Sequence, residues 1–213
     1  MIQSKLVCFD LDDTLIKEIH SVMLPCILNG KEKEHSLIQQ QEEEGILDYI
    51  LADYHRAELL LGLEEYKIAE SFLKIAKPIK NIKSVVEALH EQNIKCIVIT
   101  VGPKQVAKVV SSIWGFDYYY GSDYEVIEGI FTGKILNYIS AEQKISCLQD
   151  FCKNNGIKPE ECIAIGDGST DIPMFDYCGK SIAINSPSKV KMRAKYSVDT
   201  DDLADILKYI LSR

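Results

Sequence analysis

The 213-residue sequence predicts an α/β fold, a doubly wound parallel sheet of Rossmann-like type with a helical segment inserted after the first strand. Short apolar runs rich in β-branched residues recur along the chain, and their nearly continuous apolarity is typical of strands buried on both faces. Amphipathic helical patterns separate these runs, as in βαβ units. The alternation breaks between about residues 17 and 77, where we find no convincing strand pattern. We therefore predict a core of residues 1–16 and 78–213 and an inserted helical cap domain of residues 17–77.

Five apolar runs are predicted to be strands of the sheet. The clearest is the second, because it is almost unbroken in Val, Ile and Cys. The predicted strands are residues 5–10, 94–100, 117–120, 162–166 and 181–184. An antiparallel hairpin is predicted over residues 125–138, where Gly129 and Gly133 punctuate β-branched and aromatic residues.

The core helices are predicted from apolar residues at helical spacing. They cover residues 79–89, 106–113, 140–155 and 203–210. Pro78 suits the start of the first helix. Ser140 and Gln143 have the spacing of a capping box at the start of the third, and Gly156 is expected to end it.

The insert is predicted to be helical and to form a lid over the carboxyl ends of the strands. Residues 30–45 are very polar, and the three glutamates at 42–44 predict a helix face in contact with water. The next apolar stripe consists of Leu47, Ile50, Leu51 and Tyr54.

The composition excludes several classes of partner. A net charge of −8 argues against binding to a nucleic-acid backbone or to an anionic membrane, because both require clustered Lys and Arg. No apolar run approaches the roughly 20 residues of a membrane span, and the first apolar run is too short for a signal peptide. We therefore expect a cytoplasmic protein whose partner is a small molecule.

Two acidic clusters follow predicted strands. Asp10, Asp12 and Asp13 come directly after the first strand, and Asp167 and Asp171 follow the fourth. The carboxyl ends of parallel strands meet at one edge of a sheet, so we expect the clusters to lie together. Buried carboxylates need a compensating cation, and an all-oxygen cluster suits Mg²⁺, which keeps room for phosphate oxygens. Simple capping of strand ends is the alternative for the first cluster.

A second group of residues is suited to bind phosphate. Thr100 ends the second predicted strand and leads through Gly102 and Pro103 into a helix, whose first N–H groups and nearby hydroxyl bind anions. Lys144 lies near the start of another helix and offers a point charge, although alone it would be an ordinary surface lysine. A metal-binding half and a phosphate-binding half together predict phosphoryl transfer.

These residues resemble the motifs of the haloacid dehalogenase superfamily of phosphatases. The four motifs match in order: DxDxT at Asp10, Asp12 and Thr14, a terminal Ser or Thr of a strand at Thr100, a lysine at Lys144, and GDxxxD at Gly166, Asp167 and Asp171. The chain length, the helical insert between the first two motifs and the run at 166–175 look most like the phosphoserine phosphatase branch.

The resemblance implies the chemical roles of the acidic residues. Asp10 is the implied nucleophile, which becomes an aspartyl phosphate, and Asp12 is the implied acid and then base. Asp10, the backbone carbonyl of Asp12, and Asp167 would hold Mg²⁺. Thr14 has a supporting role as the last position of the first motif.

The resemblance also implies which residues hold the substrate. Thr100, the Val101 N–H and Lys144 would bind the phosphoryl oxygens, and Asp171 would orient the metal site or Lys144. Thr170 stands where the branch usually has Asn and is assigned to the substrate side.

Arg56 is the implied substrate-binding residue of the insert. It lies in a segment that looks like the cap helix whose arginine binds the substrate carboxylate in phosphoserine phosphatases; the alternative is an exposed arginine paired with an acid such as Asp53. The branch's glutamate for the substrate amino group is replaced by Ile19, and Glu18 lies one residue early, about 100° away on a helix. We therefore expect a preference for an anionic or less polar phosphomonoester, or promiscuity, with weak hydrolysis of phosphoserine.

The predicted function is Mg²⁺-dependent hydrolysis of a small phosphorylated metabolite. Two other classes of protein are alternatives. A receiver-like signalling domain is also doubly wound and phosphorylated on Asp, but it lacks a large helical insert, and its phosphoacceptor ends a later strand. An inactive relative that only binds ligands is disfavoured by the presence of all four motifs.

Overall fold

The core is a mostly parallel sheet, seen in a computed structural model that describes residues 3–211. The strands are β1 (Leu6–Phe9), β2 (Ile16–Lys17), β3 (Lys77–Pro78), β4 (Lys95–Pro103), β5 (Tyr118–Ile127), β6 (Ile130–Asn137), β7 (Cys162–Gly166), β8 (Lys180–Ile184) and β9 (Tyr196–Val198). Seven of them form one sheet in the order β6-β5-β4-β1-β7-β8-β9, while β2 and β3 form a separate antiparallel pair. Neighbours in the large sheet run parallel except β5 and β6.

Helices connect these strands. The α-helices are α1 (Met23–Leu28), α2 (Glu32–Glu43), α3 (Tyr49–Glu58), α4 (Tyr66–Ile75), α5 (Ile82–Glu91), α6 (Lys104–Trp114), α7 (Ala141–Asn155), α8 (Ile172–Tyr177), α9 (Ser188–Lys191) and α10 (Leu207–Leu211). Short 3₁₀ helices cover Pro159–Glu161, Ser169–Asp171 and Leu203–Ile206. Within residues 3–211, none of the helices has both the length and the apolarity needed to cross a membrane.

The sheet is packed on both faces. Because side chains alternate along a strand, Val7 and Phe9 of β1 face one core, shared with α5 and α6. Leu6 and Cys8 face the other core, shared with α7 and α8. Helices on both faces of a parallel sheet define a doubly wound α/β fold, so the predicted fold class is confirmed.

Several local predictions are confirmed. Ser140 and Gln143 form the capping box of α7, and Gly156 ends this helix in the left-handed conformation, with φ of 63°. The predicted hairpin is present as β5 and β6. The strand β5 is longer than predicted, because it continues from its parallel pairing with β4 into the antiparallel hairpin.

The prediction that Pro78 begins a helix is wrong. Pro78 lies in β3 and pairs with Ile16, and the helix α5 begins only at Ile82. The physical reason is non-local: the chain enters the insert through β2 and leaves it through β3, and the pairing of these two strands outweighs the local preference of proline for a helix start.

The apolar stripe predicted for the insert is not its buried face. The buried residues of α3 are Ala52, Asp53, Arg56 and Ala57. Leu51 and Tyr54 are exposed. The helix turns this way because Asp53 and Arg56 form a buried ion pair, which requires both side chains on the inner face.

The insert lies between β2 and β3 and packs against the β5–β6 hairpin. The Gly62 N–H donates to the Phe131 carbonyl at 2.9 Å, and the Phe131 N–H donates to the Leu63 carbonyl, also at 2.9 Å. The segment contains α1 to α4. Its boundaries as a separate domain, residues 17–77, stay a prediction.

Candidate active site

Three strands end at one edge of the sheet and bring the predicted motifs together. The strand β1 pairs with β4 on one side and β7 on the other, with Phe9 opposite Val98 and Ile165. Asp10 therefore lies beside the ends of both neighbouring strands, next to Thr100 of β4 and the loop that follows β7. The two acidic clusters meet at this edge, as the sequence predicts.

Lys144 lies at the centre of the site as a fully buried ammonium. Its Nζ atom lies 2.5 Å from Asp10 Oδ1 and 2.6 Å from Asp171 Oδ1. Burial alone would lower the pKa of Lys144, but the two carboxylates outweigh burial and raise the pKa above its usual value. Lys144 therefore remains positively charged, and its position near the start of α7 follows from the capping box.

Asp171 fixes the loop after β7 as well as Lys144. Its Oδ2 atom accepts hydrogen bonds from the backbone N–H groups of Asp167 (3.1 Å) and Gly168 (3.0 Å). This packing needs a glycine at position 166, because a Cβ atom there would lie 2.3 Å from Asp171 Cγ. The GDxxxD motif therefore needs its glycine because a side chain there would clash with Asp171. It needs its last aspartate because this side chain accepts hydrogen bonds from the backbone of the loop.

The site has the donor set of a divalent cation. Oxygens of Asp10, Asp167 and Asp171 all lie within 4.8 Å of one another. Burial raises the pKa of Asp10 well above its usual value despite Lys144, and burial together with Asp171 raises the pKa of Asp167 to about 7. Three carboxylates against one ammonium leave negative charge to neutralise, and all-oxygen ligands fit Mg²⁺. Both oxygens of Asp171 already have partners. Asp167 keeps Oδ2 without a hydrogen-bond partner among the described residues, and Asp10 could share with a metal the Oδ1 atom that Lys144 contacts.

Asp12 points away from this cluster and is held by the first turn of the insert. Its two oxygens accept hydrogen bonds from the Ser21 N–H and the Ser21 hydroxyl, each at 2.6 Å. Burial raises the pKa of Asp12, although His20 and the Ser21 hydrogen bonds oppose the shift. A carboxyl group with a raised pKa is suited to proton transfer. Thr14 donates to Asp167 Oδ1 at 3.4 Å and so links the first and last motifs.

The loop after Thr100 approaches the insert closely. Thr100 is buried, and its hydroxyl accepts a hydrogen bond from the Gly102 N–H at 3.0 Å. A Cβ atom at Gly102 would lie 1.9 Å from Ser21 Oγ, so glycine is needed for the contact with the residue that holds Asp12. The helix α6 begins directly after Pro103, as the sequence predicts for an anion-binding loop.

A cavity of about 410 Å³ separates the sheet edge from the insert. On the sheet side it is lined by Asp12, Val101 and Gly102. On the insert side it is lined by His20, Val22, His35, Gln39, Glu42, Glu43, Asp53 and Arg56. The insert therefore covers the site, and the volume suits a small ligand.

The family is decided by comparison with known proteins. A family model of haloacid dehalogenase-like hydrolases matches residues 7–176. The chain belongs to this family. The earlier prediction of a haloacid dehalogenase superfamily member is confirmed.

Among the haloacid dehalogenase-like hydrolases, this chain is similar to several phosphoserine phosphatases. The chain is 29% identical over 206 residues to phosphoserine phosphatase of Streptococcus thermophilus, a match that covers 96% of this chain and 95% of the relative. A solved structure of an analogue of the phospho-aspartyl intermediate of phosphoserine phosphatase is 28% identical, with a TM-score of 0.82 over 98% of this chain and 99% of that chain. A hydrolase of the family from Salmonella enterica serovar Typhi shares the fold, with a TM-score of 0.89, 22% identity, and coverage of 100% of this chain and 73% of that chain. The prediction of a phosphatase similar to phosphoserine phosphatases is confirmed.

Arg56 lies inside the cavity of this hydrolase but is already paired. Its Nη1 atom lies 3.0 Å from Asp53 Oδ1, and its Nη2 atom lies 2.5 Å from Glu42 Oε2. The alternative of pairing with Asp53 is therefore what the structure has, although the arginine is buried rather than exposed. The expectation that residues 42–44 form a face in water is wrong for Glu42, because Arg56 draws this carboxylate to the cavity.

Sequence reasoning missed two histidines of the cavity. His20 lies 3.1 Å from Asp13, and this hydrogen bond raises the pKa of His20 to about 9. His35 is buried, and burial followed by the charge of Arg56 lowers its pKa to about 4. No spacing signal could have found them, because the packing of the insert helices brings them to the site.

Two other positions lie outside the cavity. Glu18 is exposed and forms an ion pair with Lys77, at the paired ends of the insert. Thr170 is half-buried in the 3₁₀ helix that ends at Asp171 and does not line the cavity. Its assignment to substrate binding stays a prediction.

Proposed function

We propose that this phosphatase hydrolyses a small phosphomonoester through an aspartyl phosphate on Asp10, with Mg²⁺ as the metal. The observation that carries the proposal is the arrangement around Asp10. Lys144 holds Oδ1 of this buried carboxylate, while Oδ2 has no hydrogen-bond partner among residues 3–211. A fixed carboxylate with one free oxygen, which a bound cation would keep ionised, is suited to attack phosphorus.

The first chemical step transfers the phosphoryl group to Asp10. Asp10 Oδ2 forms a bond to phosphorus, the bond from phosphorus to the leaving oxygen breaks, and Asp12 gives its proton to that oxygen. The raised pKa of Asp12 supports this role as an acid. Ser21 keeps the carboxyl group in place on the wall of the cavity.

The second step returns the phosphoryl group to water. A water molecule attacks phosphorus, Asp12 takes the proton from that water, and the bond from phosphorus to Asp10 Oδ2 breaks. The Thr100 hydroxyl, the Val101 N–H and Lys144 would hold the phosphoryl oxygens in both steps. Fixed donors of this kind stabilise the charge of the transition state without reorganising.

Asp10, the backbone carbonyl of Asp12, and Asp167 would hold the metal, with Asp171 positioning Lys144 beside them. A bound divalent cation supplies neutralisation of the carboxylates and of the phosphoryl oxygens. The surplus of negative charge among Asp10, Asp167 and Asp171 supports this proposal.

Residues 17–77 are proposed to act as a cap domain that excludes water other than the reacting molecule. Its helices line one side of the cavity, and its two ends pair as β2 and β3, which supports movement as one unit. A cytoplasmic location, and a small molecule rather than a nucleic acid as partner, remain predictions from the sequence.

Steady-state release of phosphate from p-nitrophenyl phosphate tests this function. We expect turnover with Mg²⁺, loss of turnover with EDTA, and no measurable turnover by the Asp10→Asn variant. Asp13→Asn is the matched control, since it removes an acid from the same loop at a left-handed position that Asn tolerates, with φ of 56°. Retention of a tenth of the activity by Asp10→Asn would refute the nucleophile, and stoichiometric phosphorylation without turnover would favour the receiver-like alternative.

A further inference from the structure

The insert side of the cavity has more carboxylates than positively charged groups. We use the name insert lining for His35, Gln39, Glu42, Glu43, Asp53 and Arg56. It contains three carboxylates and one guanidinium, and His35, with its pKa lowered to about 4, is neutral near pH 7. His20 also lines the insert side of the cavity, but its positive charge, with a pKa raised to about 9, is balanced by Asp13 at 3.1 Å. The insert lining therefore carries net negative charge and attracts a cation rather than an anion.

Arg56 is not available as a receptor for a carboxylate. Recognition of a carboxylate by arginine uses two N–H groups of the guanidinium fork in parallel. Here Nη1 is bound to Asp53 and Nη2 to Glu42, and the Tyr138 hydroxyl donates to the second oxygen of Asp53 at 2.7 Å. Arg56 and Tyr138 thus hold the two oxygens of Asp53, and the ion pair of Asp53 with Arg56 forms part of the cavity wall.

Two carboxylates of the insert lining keep an oxygen for a ligand. Arg56 engages Oε2 of Glu42, and Gln39 donates to Oε1 of Glu43 at 2.9 Å. Within the described part of the chain, the other oxygen of each glutamate has no hydrogen-bond partner. Both residues lie near the end of α2 and face the same cavity as Asp12 and Val101.

His35 adds a ring nitrogen without a hydrogen-bond partner on the same helix as these acids. The side chain is only 5% exposed, lines the cavity, and its Nδ1 atom has no hydrogen-bond partner among the described residues. A neutral imidazole has one nitrogen that accepts a hydrogen bond. An ammonium group, with three N–H donors, matches two glutamate oxygens and an imidazole nitrogen.

We propose that the insert lining binds an ammonium group, and that the substrate is the phosphomonoester of an amino alcohol without a carboxylate. This inference rests on the proposed function, because it takes Asp12 and Val101 as the phosphate side of the same cavity. It differs from the expectation of an anionic or less polar phosphomonoester, or of promiscuity, of which the anionic alternative depended on an Arg56 free to bind a carboxylate.

A matched panel of four phosphomonoesters tests the inference. The compounds are O-phosphoethanolamine (ammonium only), O-phosphoserine (ammonium and carboxylate), 3-phosphohydroxypropionate (carboxylate only) and ethyl phosphate (neither). Loss of a charge-assisted hydrogen bond weakens binding roughly 10- to 150-fold. We therefore expect kcat/KM for O-phosphoethanolamine to exceed kcat/KM for ethyl phosphate by at least about tenfold. We also expect kcat/KM for O-phosphoethanolamine to exceed kcat/KM for O-phosphoserine. A panel led by either carboxylate compound would overturn the inference.

Binding separates this inference from the proposed function. Calorimetry of O-phosphoethanolamine and ethyl phosphate with the Asp10→Asn variant measures recognition without turnover. Tighter binding of O-phosphoethanolamine supports the inference even where p-nitrophenyl phosphate is not hydrolysed, in which case only the proposed function fails. Equal binding of the two compounds would overturn the inference.

Neutral variants of the glutamates locate the ammonium site. Glu43→Gln is expected to lower the ratio of kcat/KM for O-phosphoethanolamine to kcat/KM for ethyl phosphate about tenfold. Glu42→Gln is expected to do the same and to raise kcat/KM for 3-phosphohydroxypropionate, because Arg56 Nη2 is released. Glu44→Gln is the matched control, since Glu44 is exposed at the end of the same helix and does not line the cavity. An unchanged preference in both cavity variants would contradict the assignment.

Discussion

At the scale of single residues, Lys144 depends on Asp171 for its charge balance. Asp171→Ala removes one of two carboxylates that contact a fully buried ammonium, and it also frees two backbone N–H groups. Lys144 keeps Asp10 as a partner, so the cost comes from one lost charge-assisted hydrogen bond and from two N–H groups without an acceptor, at about 1–3 kcal/mol for each bond. We expect a loss of this size in the free energy of unfolding, measured by urea denaturation.

Asp176→Ala is the matched control for Asp171→Ala. Asp176 lies on α8 and forms an exposed ion pair with Arg193, for which about 0–1 kcal/mol is expected. Equal losses in the two variants would show that Asp171 does not stabilise a buried ammonium.

Gly166 and Gly168 provide a second comparison in the same loop. A Cβ atom at Gly166 would overlap Asp171, whereas the nearest atom to a Cβ at Gly168 is 3.7 Å away. Gly166→Ala is therefore expected to displace Asp171 and to abolish phosphatase activity, while Gly168→Ala keeps the folded loop. Steady-state kinetics with p-nitrophenyl phosphate, together with thermal unfolding, measures the difference. An active Gly166→Ala variant would mean that Asp171 is not needed where it lies.

His35 makes stability depend on pH. Its folded pKa of about 4 lies below the unfolded value of about 6.5, so the unfolded chain binds the extra proton between these values. The contribution of His35 to the free energy of unfolding therefore falls as pH drops from about 6.5 towards 4, by up to about 3 kcal/mol. We expect urea denaturation between pH 7 and pH 4 to show a smaller fall for His35→Gln than for the unchanged protein. His55→Gln, at a half-exposed position, is expected to show the same pH dependence as the unchanged protein, and an identical dependence in all three proteins would contradict a neutral buried His35.

At this scale the sequence predicts the residues that directly follow buried strands. Asp10 and Asp167 follow two neighbouring strands of the sheet, so the pairing of β1 with β7 brings them together. His35 and Glu42 could not be predicted, because they reach the cavity through the packing of α2 against α3. Asp53 and Arg56 are three residues apart on one helix, so the sequence could predict their ion pair as an alternative to substrate binding.

At the scale of elements, the first turn of α7 sets the backbone position from which the Lys144 side chain enters the site. The Ser140 capping box fixes the first turn of this helix. Ser140→Ala is expected to lower the free energy of unfolding by about 1 kcal/mol. Its control is Ser146→Ala on the same helix, where the exposed hydroxyl bonds to the Glu142 carbonyl and little change is expected. Equal unfolding midpoints in urea for Ser140→Ala and the unchanged protein would rule out a stabilising cap.

Elements of the core are predictable where local pattern and tertiary role agree. Buried strands such as β4 and β7 contain nearly continuous apolar runs, so their sequence indicates that they lie inside the sheet. The pair of β2 and β3 is not predictable, because two residues carry no period and the pairing joins segments sixty residues apart along the chain. The orientation of α3 was obscured by apolar residues that the structure leaves exposed, Leu51 and Tyr54.

At the scale of the whole molecule, the sheet supplies chemistry and the insert supplies selectivity. The sheet edge carries the carboxylates, Lys144 and the loop after Thr100, while the insert contributes the acids around Arg56. The two meet through Asp12, Ser21 and Gly102 on the cavity wall. This division explains why motifs predict the reaction and say little about the leaving group.

The central claim is that Asp10 carries the phosphoryl group during turnover. Acid quenching of the Mg²⁺-loaded enzyme during hydrolysis of p-nitrophenyl phosphate, followed by mass spectrometry of its peptides, tests this most directly. We predict one added phosphoryl group on the peptide that contains Asp10, absent without substrate and absent in the Asp10→Asn variant. A phosphoryl group on any other residue, or undiminished phosphate release by Asp10→Asn, would contradict the claim.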